Sequence, residues 1–250
     1  MIESFYDRLS PYYKYIFHDW NASVQRHANI LDEIIHEYFG ERVHQILDAA
    51  CGIGTQTIGL AEKGYQMTAS DISAGELEKA RWESDRRNLN IDFCIADMRA
   101  LQQTLPTKFD LVIACDNAIP HLLSDDEILQ AFREFYKVTT DYGGCMISVR
   151  DYDVMERGGR RIYPRTVHDV ADGKIVVFDC WEFDGNFYDI TMYIVEDTGQ
   201  QTATTHVIRG GRYYCVSIPV LERLMNEAGF KTVITLRDRF FQPLILGRKA

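Results

Sequence analysis

Between residues 43 and 150 the chain alternates short apolar runs with amphipathic stretches, and that rhythm restricts the fold more than any other feature. Val43 to Ala50, Tyr65 to Ser70, Ile91 to Ala96, Phe109 to Cys115 and Cys145 to Arg150 read as strands. Thr55 to Lys63, stopped by Gly64, reads as a helix. Ser73 with Glu76 and Ser124 with Glu127 have the spacing of capping boxes and open two more helices. The second of these turns Ile128, Ala131, Phe132 and Phe135 to one face. Gly143-Gly144 is expected to turn the chain into the fifth strand. Alternation of this kind predicts a parallel, doubly wound α/β sheet with helices on both faces.

The rhythm breaks after residue 155. Strand-like runs from 160 to 210 are separated by Asp172-Gly173, Asp184-Gly185 and Asp197-Thr198-Gly199, which predicts an antiparallel meander. A last helix, Pro219 to Ala228, with Ser217 as its cap and Gly229 as its stop, precedes two closing strands at Lys231 to Leu236 and Phe241 to Gly247. The sheet is thus expected to have seven strands. Residues 1–42 are helical in character and are expected to form a lid, with a turn at Ser10-Pro11 and a second helix from Trp20 to Tyr38. The expected division is a lid over 1–42, a main domain over 43–155 and 211–250, and an antiparallel β insertion over 156–210.

The sharpest local signal is Ile46-Leu47-Asp48-Ala49-Ala50-Cys51-Gly52-Ile53-Gly54-Thr55, a strand running into a glycine turn with a helix behind it. Gly52 and Gly54 let the backbone approach a ligand, and the helix N-terminus offers free N–H groups to an anion. Asp71 ends the next strand, 19 residues after Gly52, where an acid accepts hydrogen bonds from ribose hydroxyls. Two nucleoside cofactors suit such a frame. A dinucleotide fingerprint needs a third glycine, and Thr57 stands there. Asp48, four residues before Gly52, orders the loop or faces an ammonium group, and a pyrophosphate gains nothing from it. S-adenosylmethionine, with its amino-acid moiety and ribose, fits better than NAD.

These residues resemble a known family. Leu47 to Thr55 is similar to the first motif of class I S-adenosylmethionine-dependent methyltransferases, and Asp71 to their ribose-binding acid, followed by Ile72. Ala96-Asp97-Met98 resembles the element beside the adenine, which implies Asp97 toward its amino group and Met98 against the ring. Phe109 to Asn117 resembles the fourth motif, so Cys115 is expected beside the transferred methyl group. The resemblance implies a cofactor site made of Tyr13, Trp20, Asp48, Ala50, Gly52, Gly54, Asp71, Ile72, Asp97, Met98 and Cys115. Tyr13 and Trp20 enter through an N-terminal segment similar to the lid of bacterial small-molecule methyltransferases, where a tyrosine reaches the cofactor carboxylate. For Trp20, packing on the core is an equal expectation.

A narrower resemblance is to glycine and sarcosine N-methyltransferases. Asn117-Ala118-Ile119-Pro120-His121-Leu122 and Val149-Arg150-Asp151-Tyr152-Asp153 are similar to two of their segments, and the Tyr213-Tyr214 region also fits. The resemblance implies Asn117, Arg150 and Tyr213 as substrate contacts, with Arg150 on a carboxylate, and Asn117, His121 and Arg150 as the catalytic set. His121 also reads as a turn residue, and Arg150 as a partner of Asp151 or Asp153. No arginine here takes the place of that family's N-terminal arginine.

The expected activity is methyl transfer to a small molecule, an amine or amino acid, leaving S-adenosylhomocysteine. The alternatives are a non-catalytic S-adenosylmethionine-binding protein and a nicotinamide-dependent oxidoreductase. A formal charge of −10 argues against nucleic acid as partner. Arg150 stands where a divalent ion would sit, so no metal is expected. Six cysteines without a C-x-x-C pair read as reduced thiols. With no basic-then-apolar leader and no apolar run near about 18 residues, neither secretion nor membrane insertion is expected, and the cytoplasm is the expected location. Homo-oligomer formation is left open.

Overall fold

The computed structural model describes residues 2–249. Helix α1 (Ile2–Leu9) leads through a 3-10 turn at Tyr13–Ile16 to α2 (Trp20–Phe39). Then come β1 (Gln45–Asp48), α3 (Thr55–Glu62), β2 (Gln66–Asp71), α4 (Ala74–Arg86), β3 (Asp92–Ile95), a short α5 (Leu101–Thr104) and β4 (Phe109–Ala114). They are followed by α6 (Asp125–Val138), β5 (Thr139–Ser148), four long strands β6 (Arg160–Val170), β7 (Gly173–Asp184), β8 (Phe187–Asp197) and β9 (Thr204–Tyr214), then α7 (Ile218–Glu227), β10 (Lys231–Leu236) and β11 (Leu244–Arg248).

The seven-stranded sheet has the order β10-β11-β5-β4-β1-β2-β3, with β11 antiparallel to both its neighbours. Its strands obey the two-residue period: Leu111 and Ile113 join α2 residues Leu31, Ile34 and Ile35 on one face. Val112 and Ala114 join Phe132 and Phe135 of α6 and Leu224 of α7 on the other. The order reverses between β1 and β4, so the carboxyl ends of β1, β2, β3 and β4 open one crevice at the switch point.

The four remaining strands form a second antiparallel sheet, turning at the three Asp-Gly positions and running to Tyr214, four residues beyond the expected edge at 210. Its inner face alternates: Ile175, Val177 and Trp181 on β7 and Tyr188, Ile190, Met192 and Ile194 on β8 enclose Phe5 and Leu9 of α1. The 1–42 segment therefore divides. Helix α1 lies on the antiparallel sheet, whereas α2 is a layer of the main core.

Three local expectations need correction. Gly143-Gly144 lies inside β5 rather than ahead of it. A Cβ there would fall against the Asp110 carbonyl and the Gly247 carbonyl, so the glycines admit neighbouring backbones. Ser217 makes no side-chain cap, and Asp153 takes the Ile218 N–H instead, at 3.3 Å. Ser73 does cap α4 through Glu76 N at 3.1 Å, but Glu76 does not reciprocate, because Asp71 Oδ1 already accepts from Ser73 N at 2.9 Å.

Candidate active site

At the switch point the loops after the four central parallel strands line a cleft of about 430 Å3, closed over by α1, the 3-10 turn and β9. The glycine loop forms its floor. Gly52 and Gly54 both hold left-handed backbone, at φ 54° and 86°, where a Cβ would be strained. The loop is pinned from two sides. Gly52 N donates to Asp71 Oδ2 at 2.8 Å, and Thr57 Oγ1 donates to Asp48 Oδ2 at 2.6 Å. Thr57, standing where a dinucleotide fingerprint has glycine, is therefore a strut for the loop.

Asp48 is fully enclosed and does not reach the cleft. Burial pushes its carboxyl up to about 7, against the lowering effect of the Thr57 hydroxyl. Of its two expected roles, ordering the loop is the one the geometry has. Asp71 lines the cleft, and burial raises its pKa while the N–H groups of Ser73 and Gly52 oppose. Each oxygen accepts one backbone bond and keeps a lone pair for a ribose hydroxyl.

Along one side, Ala96, Asp97 and Met98 border the cleft. Asp97 is bound by Arg99, at 2.6 Å from Nη2, and Arg99 Nη1 also reaches Glu127 at 2.5 Å. Arg99 holds the Asp97 carboxyl below its ordinary range. This Asp97–Arg99–Glu127 chain is invisible in the motif, because Glu127 comes from α6.

Toward the roof the walls are aromatic. Tyr6 from α1 and Tyr13 from the 3-10 turn face the cleft with ring centroids 6.3 Å apart. Tyr6 Oη lies 2.7 Å from His121 Nε2 and 3.3 Å from Tyr213 Oη. His121 Nδ1 lies 3.0 Å from the Arg212 carbonyl. A carbonyl only accepts, so Nδ1 carries the proton, and Tyr6 Oη donates to Nε2. Burial lowers the His121 pKa to about 4, so the ring is neutral. His121, expected either in the catalytic set or as a turn residue, lines the cleft with its one lone pair occupied.

Of the expected site residues, Tyr13, Ala50, Gly52, Asp71, Ile72, Asp97, Met98, Cys115 and His121 line the cleft. Trp20, Gly54, Asn117, Arg150 and Tyr213 stand behind its wall, as Asp48 does. Trp20 packs with Val24, Ile53 and Ile58, and its Nε1 donates to Thr55 Oγ1 at 2.9 Å, so it braces the start of α3. Asn117 is buried, and its Oδ1 accepts from Arg150 N and Tyr152 Oη, both at 3.0 Å. The amide expected to meet substrate is thus occupied in joining the loops after β4 and β5. Arg150 pairs with neither Asp151 nor Asp153. Its Nη1 donates to Tyr188 Oη at 2.9 Å, and its guanidinium lies 5.0 Å from the Trp181 ring centroid and 5.6 Å from that of Tyr213. Tyr6 and Asp116 belong to the segments that resemble the lid and the fourth motif but are not among the expected site residues, and Gln56, Arg99, Glu127 and Arg212 also line the cleft without a signal in the motifs. Among the described residues, no three potential metal ligands cluster.

Comparison with known proteins agrees with this geometry. Residues 46–143 match the family model described as methyltransferase domain. That match and the relatives below support an S-adenosylmethionine-dependent methyltransferase of class I. The donor is therefore S-adenosylmethionine rather than a nicotinamide. Over 224 residues the chain is 28% identical to the glycine/sarcosine N-methyltransferase of Parasynechococcus marenigrum (strain WH8102), spanning 88% of this chain and 73% of that one. In fold it is similar to Streptomyces venezuelae DesVI, with a TM-score of 0.80 at 17% identity over 98% of both chains. It is also similar to CalS10 of Micromonospora echinaspora, an amino pentose methyltransferase, with a TM-score of 0.77 at 14% identity over 91% of this chain and 92% of that one. No helix among the described residues is long and apolar enough to cross a membrane.

The cleft residues fit the donor. The glycine loop provides a cradle in left-handed backbone that side chains rarely adopt, and Asp71 keeps acceptor capacity for two hydroxyls. Bound there, S-adenosylmethionine supplies an electrophilic methyl group on a sulfonium. The chain's own contribution is to align an acceptor with that methyl and to keep water out.

Proposed function

We propose that the chain methylates the nitrogen of a small amine or amino acid. The observation that carries this is the condition of His121. A hydroxyl is far less acidic than an ammonium and needs a stronger base than a carboxylate to take its proton, and the one histidine lining the cleft among the described residues has its lone pair filled by Tyr6 Oη. An amine is already a nucleophile once it is neutral. The confined cleft, shared between donor and acceptor, sets a small size for the acceptor. The relative named for glycine and sarcosine and the neighbour named for an amino pentose both support a nitrogen acceptor.

In this reading residues 156–214 roof the acceptor, and α1 with the 3-10 turn closes the entrance. Arg150 offers N–H donors not used by Tyr188 to an acceptor carboxylate. Asn117 positions Arg150 through its backbone N–H and does not touch the acceptor itself.

The test pairs nitrogen with oxygen acceptors of one shape: glycine with glycolate, and ethanolamine with ethylene glycol. S-adenosylhomocysteine release and methylated product are followed by mass spectrometry. The amine member of at least one pair is expected to be methylated. Methylation of the hydroxyl members, or of none, overturns the reading.

A further inference from the structure

Of the acids that line the cleft interior all but one are satisfied, while Glu76 and Asp48, which also keep unpartnered oxygens, are enclosed behind the glycine loop and do not line it. Asp97 and Glu127 share Arg99, and Asp71 accepts two backbone N–H groups. Glu3 stands at the exposed rim. Asp116, directly after β4, also lines the cleft, yet its carboxylate has a single polar contact, Gln242 Nε2 at 3.4 Å on Oδ1. No ion pair to it exists among the described residues. A half-buried carboxylate with no cation in direct contact and no second donor is only partly balanced, here by the more distant Arg150 and Arg165, and gains from a cation that arrives to meet it.

The backbone holds it there. Asp116 and Asn117 both adopt left-handed conformation, at φ 56° and 67°. Asp116 N donates to Ser148 Oγ at 2.7 Å and Asn117 N to the Ser148 carbonyl at 2.9 Å, tying the turn to the end of β5. Five groups from neighbouring elements share electrostatic contact with this carboxylate: Tyr13, Tyr213, Cys115, Arg150 and Arg165. Arg165 is bound by Asp179 and Arg150 donates to Tyr188, and neither guanidinium hydrogen-bonds Asp116. The aromatic faces of Tyr6 and Tyr13 border the same space and favour a cation.

We infer that Asp116 is the residue that receives the acceptor's ammonium group, so that the substrates are amines cationic at neutral pH, and that its carboxylate takes the proton that must leave before methyl transfer. This rests on the nitrogen-acceptor reading above. The step balances: Asp116 Oδ takes H+ from R–NH3+, leaving a neutral amine. The nitrogen lone pair forms the C–N bond as the C–S bond breaks, its electrons returning to sulfur. S-adenosylhomocysteine and the methylated ammonium result, and Asp116 releases its proton to solvent. A zwitterionic amino acid would span Asp116 and Arg150, ammonium to one and carboxylate to the other.

Asp116→Asn tests this with little structural disturbance, because asparagine tolerates the left-handed backbone and its amide oxygen preserves the Gln242 contact. Protein loaded with S-adenosylhomocysteine is titrated calorimetrically at pH 7 with glycine, ethanolamine and methylammonium. At least one is expected to bind, and Asp116→Asn to bind it about tenfold more weakly or worse. Affinities for S-adenosylmethionine and S-adenosylhomocysteine should stay within about threefold. For an amine that is methylated, kcat/KM should fall ~100-fold at pH 7 and recover as the pH approaches the amine's own pKa.

Wild-type protein that binds none of the probes overturns the assignment, as does equal binding by the variant. A variant that loses S-adenosylmethionine but keeps S-adenosylhomocysteine also overturns it, since Asp116 would then answer the sulfonium. Amine methylation that is indifferent to Asp116→Asn leaves nitrogen transfer standing and removes only this role. Methylation of glycolate in place of glycine removes nitrogen transfer itself.

Discussion

The two sides of the cleft are made of different material. The floor is main chain: the glycine loop, the first turn of α3, and the backbone N–H groups that hold Asp71. The roof is side chain: Tyr6 and His121 face the cleft, and Tyr213, Arg150 and Tyr188 back them from behind its wall, drawn from α1, the loops after β4 and β5, β8 and β9. On the function proposed above, the main-chain floor would take the donor, its demands falling on a few positions with special φ, and the side-chain roof would take the acceptor.

The sharpest way to break this contrast is Gly52→Val. The φ of 54° is strained for a branched residue, and the new side chain would grow toward Glu76 Oε2, 3.5 Å from its Cβ. Donor affinity should fall ~1000-fold or more, a loss of about 4 kcal/mol, with the fold retained. Isothermal titration with S-adenosylhomocysteine and circular dichroism decide, and normal binding would show that the loop is not the cradle.

Arg150→Lys probes the roof alone. A lysine cannot keep both the Tyr188 bond and a fork for a carboxylate. Donor affinity should hold while kcat/KM on an acid acceptor drops by about 2–4 kcal/mol in transition-state terms, ~30- to 1000-fold. Glycine against glycinamide is the diagnostic pair. Equal losses on both, with a lowered melting temperature, would reduce Arg150 to a structural member of the roof.

His121 gives a pH signature. Burial, assisted by Arg150 and opposed by the Arg212 carbonyl bond, holds its pKa at about 4, below the ordinary 6.5 of an unfolded chain. The folded state thus binds fewer protons between those values. The stability from keeping the ring neutral is complete above about pH 6.5 and is lost as the pH falls toward 4. Relative to His121→Gln, the wild type should lose up to ~3 kcal/mol across that window. Urea midpoints of both proteins at several pH values measure it, and a constant gap would mean the ring titrates freely.

Trp20→Phe should have the smallest effect. It removes the Nε1 bond to Thr55 and leaves the packing, costing about 1 kcal/mol of stability. S-adenosylhomocysteine affinity should change by less than about twofold. A large loss of affinity would put Trp20 back in contact with the donor.

The same contrast explains what could be read in advance. Gly52 and Asp71 line the cleft at the ends of strands whose apolar period is local, where spacing put them, and Ala96-Asp97-Met98, which the family resemblance pointed to, lines it beside them. Trp20, Asp48 and Asn117 carry the right chemistry in the right segments, yet each turns into the protein. Trp20 reaches Thr55, Asp48 reaches Thr57, and Asn117 meets Tyr152 and Arg150 N. Motif position fixes the Cα of such a residue, but not which neighbour claims its side chain.

By itself the sequence determined the alternating strands and helices, the switch-point crevice that follows from them, and the glycine loop with its acid partner. These follow from periodicity, φ restrictions and strand-end geometry, all short-range. Only the tertiary structure decided that Tyr6 fills the lone pair of His121, 115 residues away, and that Arg99 binds Glu127 across 28 residues. It also decided that the Asp116 carboxylate is left with Gln242 as its single polar contact. Such states depend on which polar groups from distant elements meet in a desolvated space, where each must find a counterpart or remain costly, and no local pattern records that outcome.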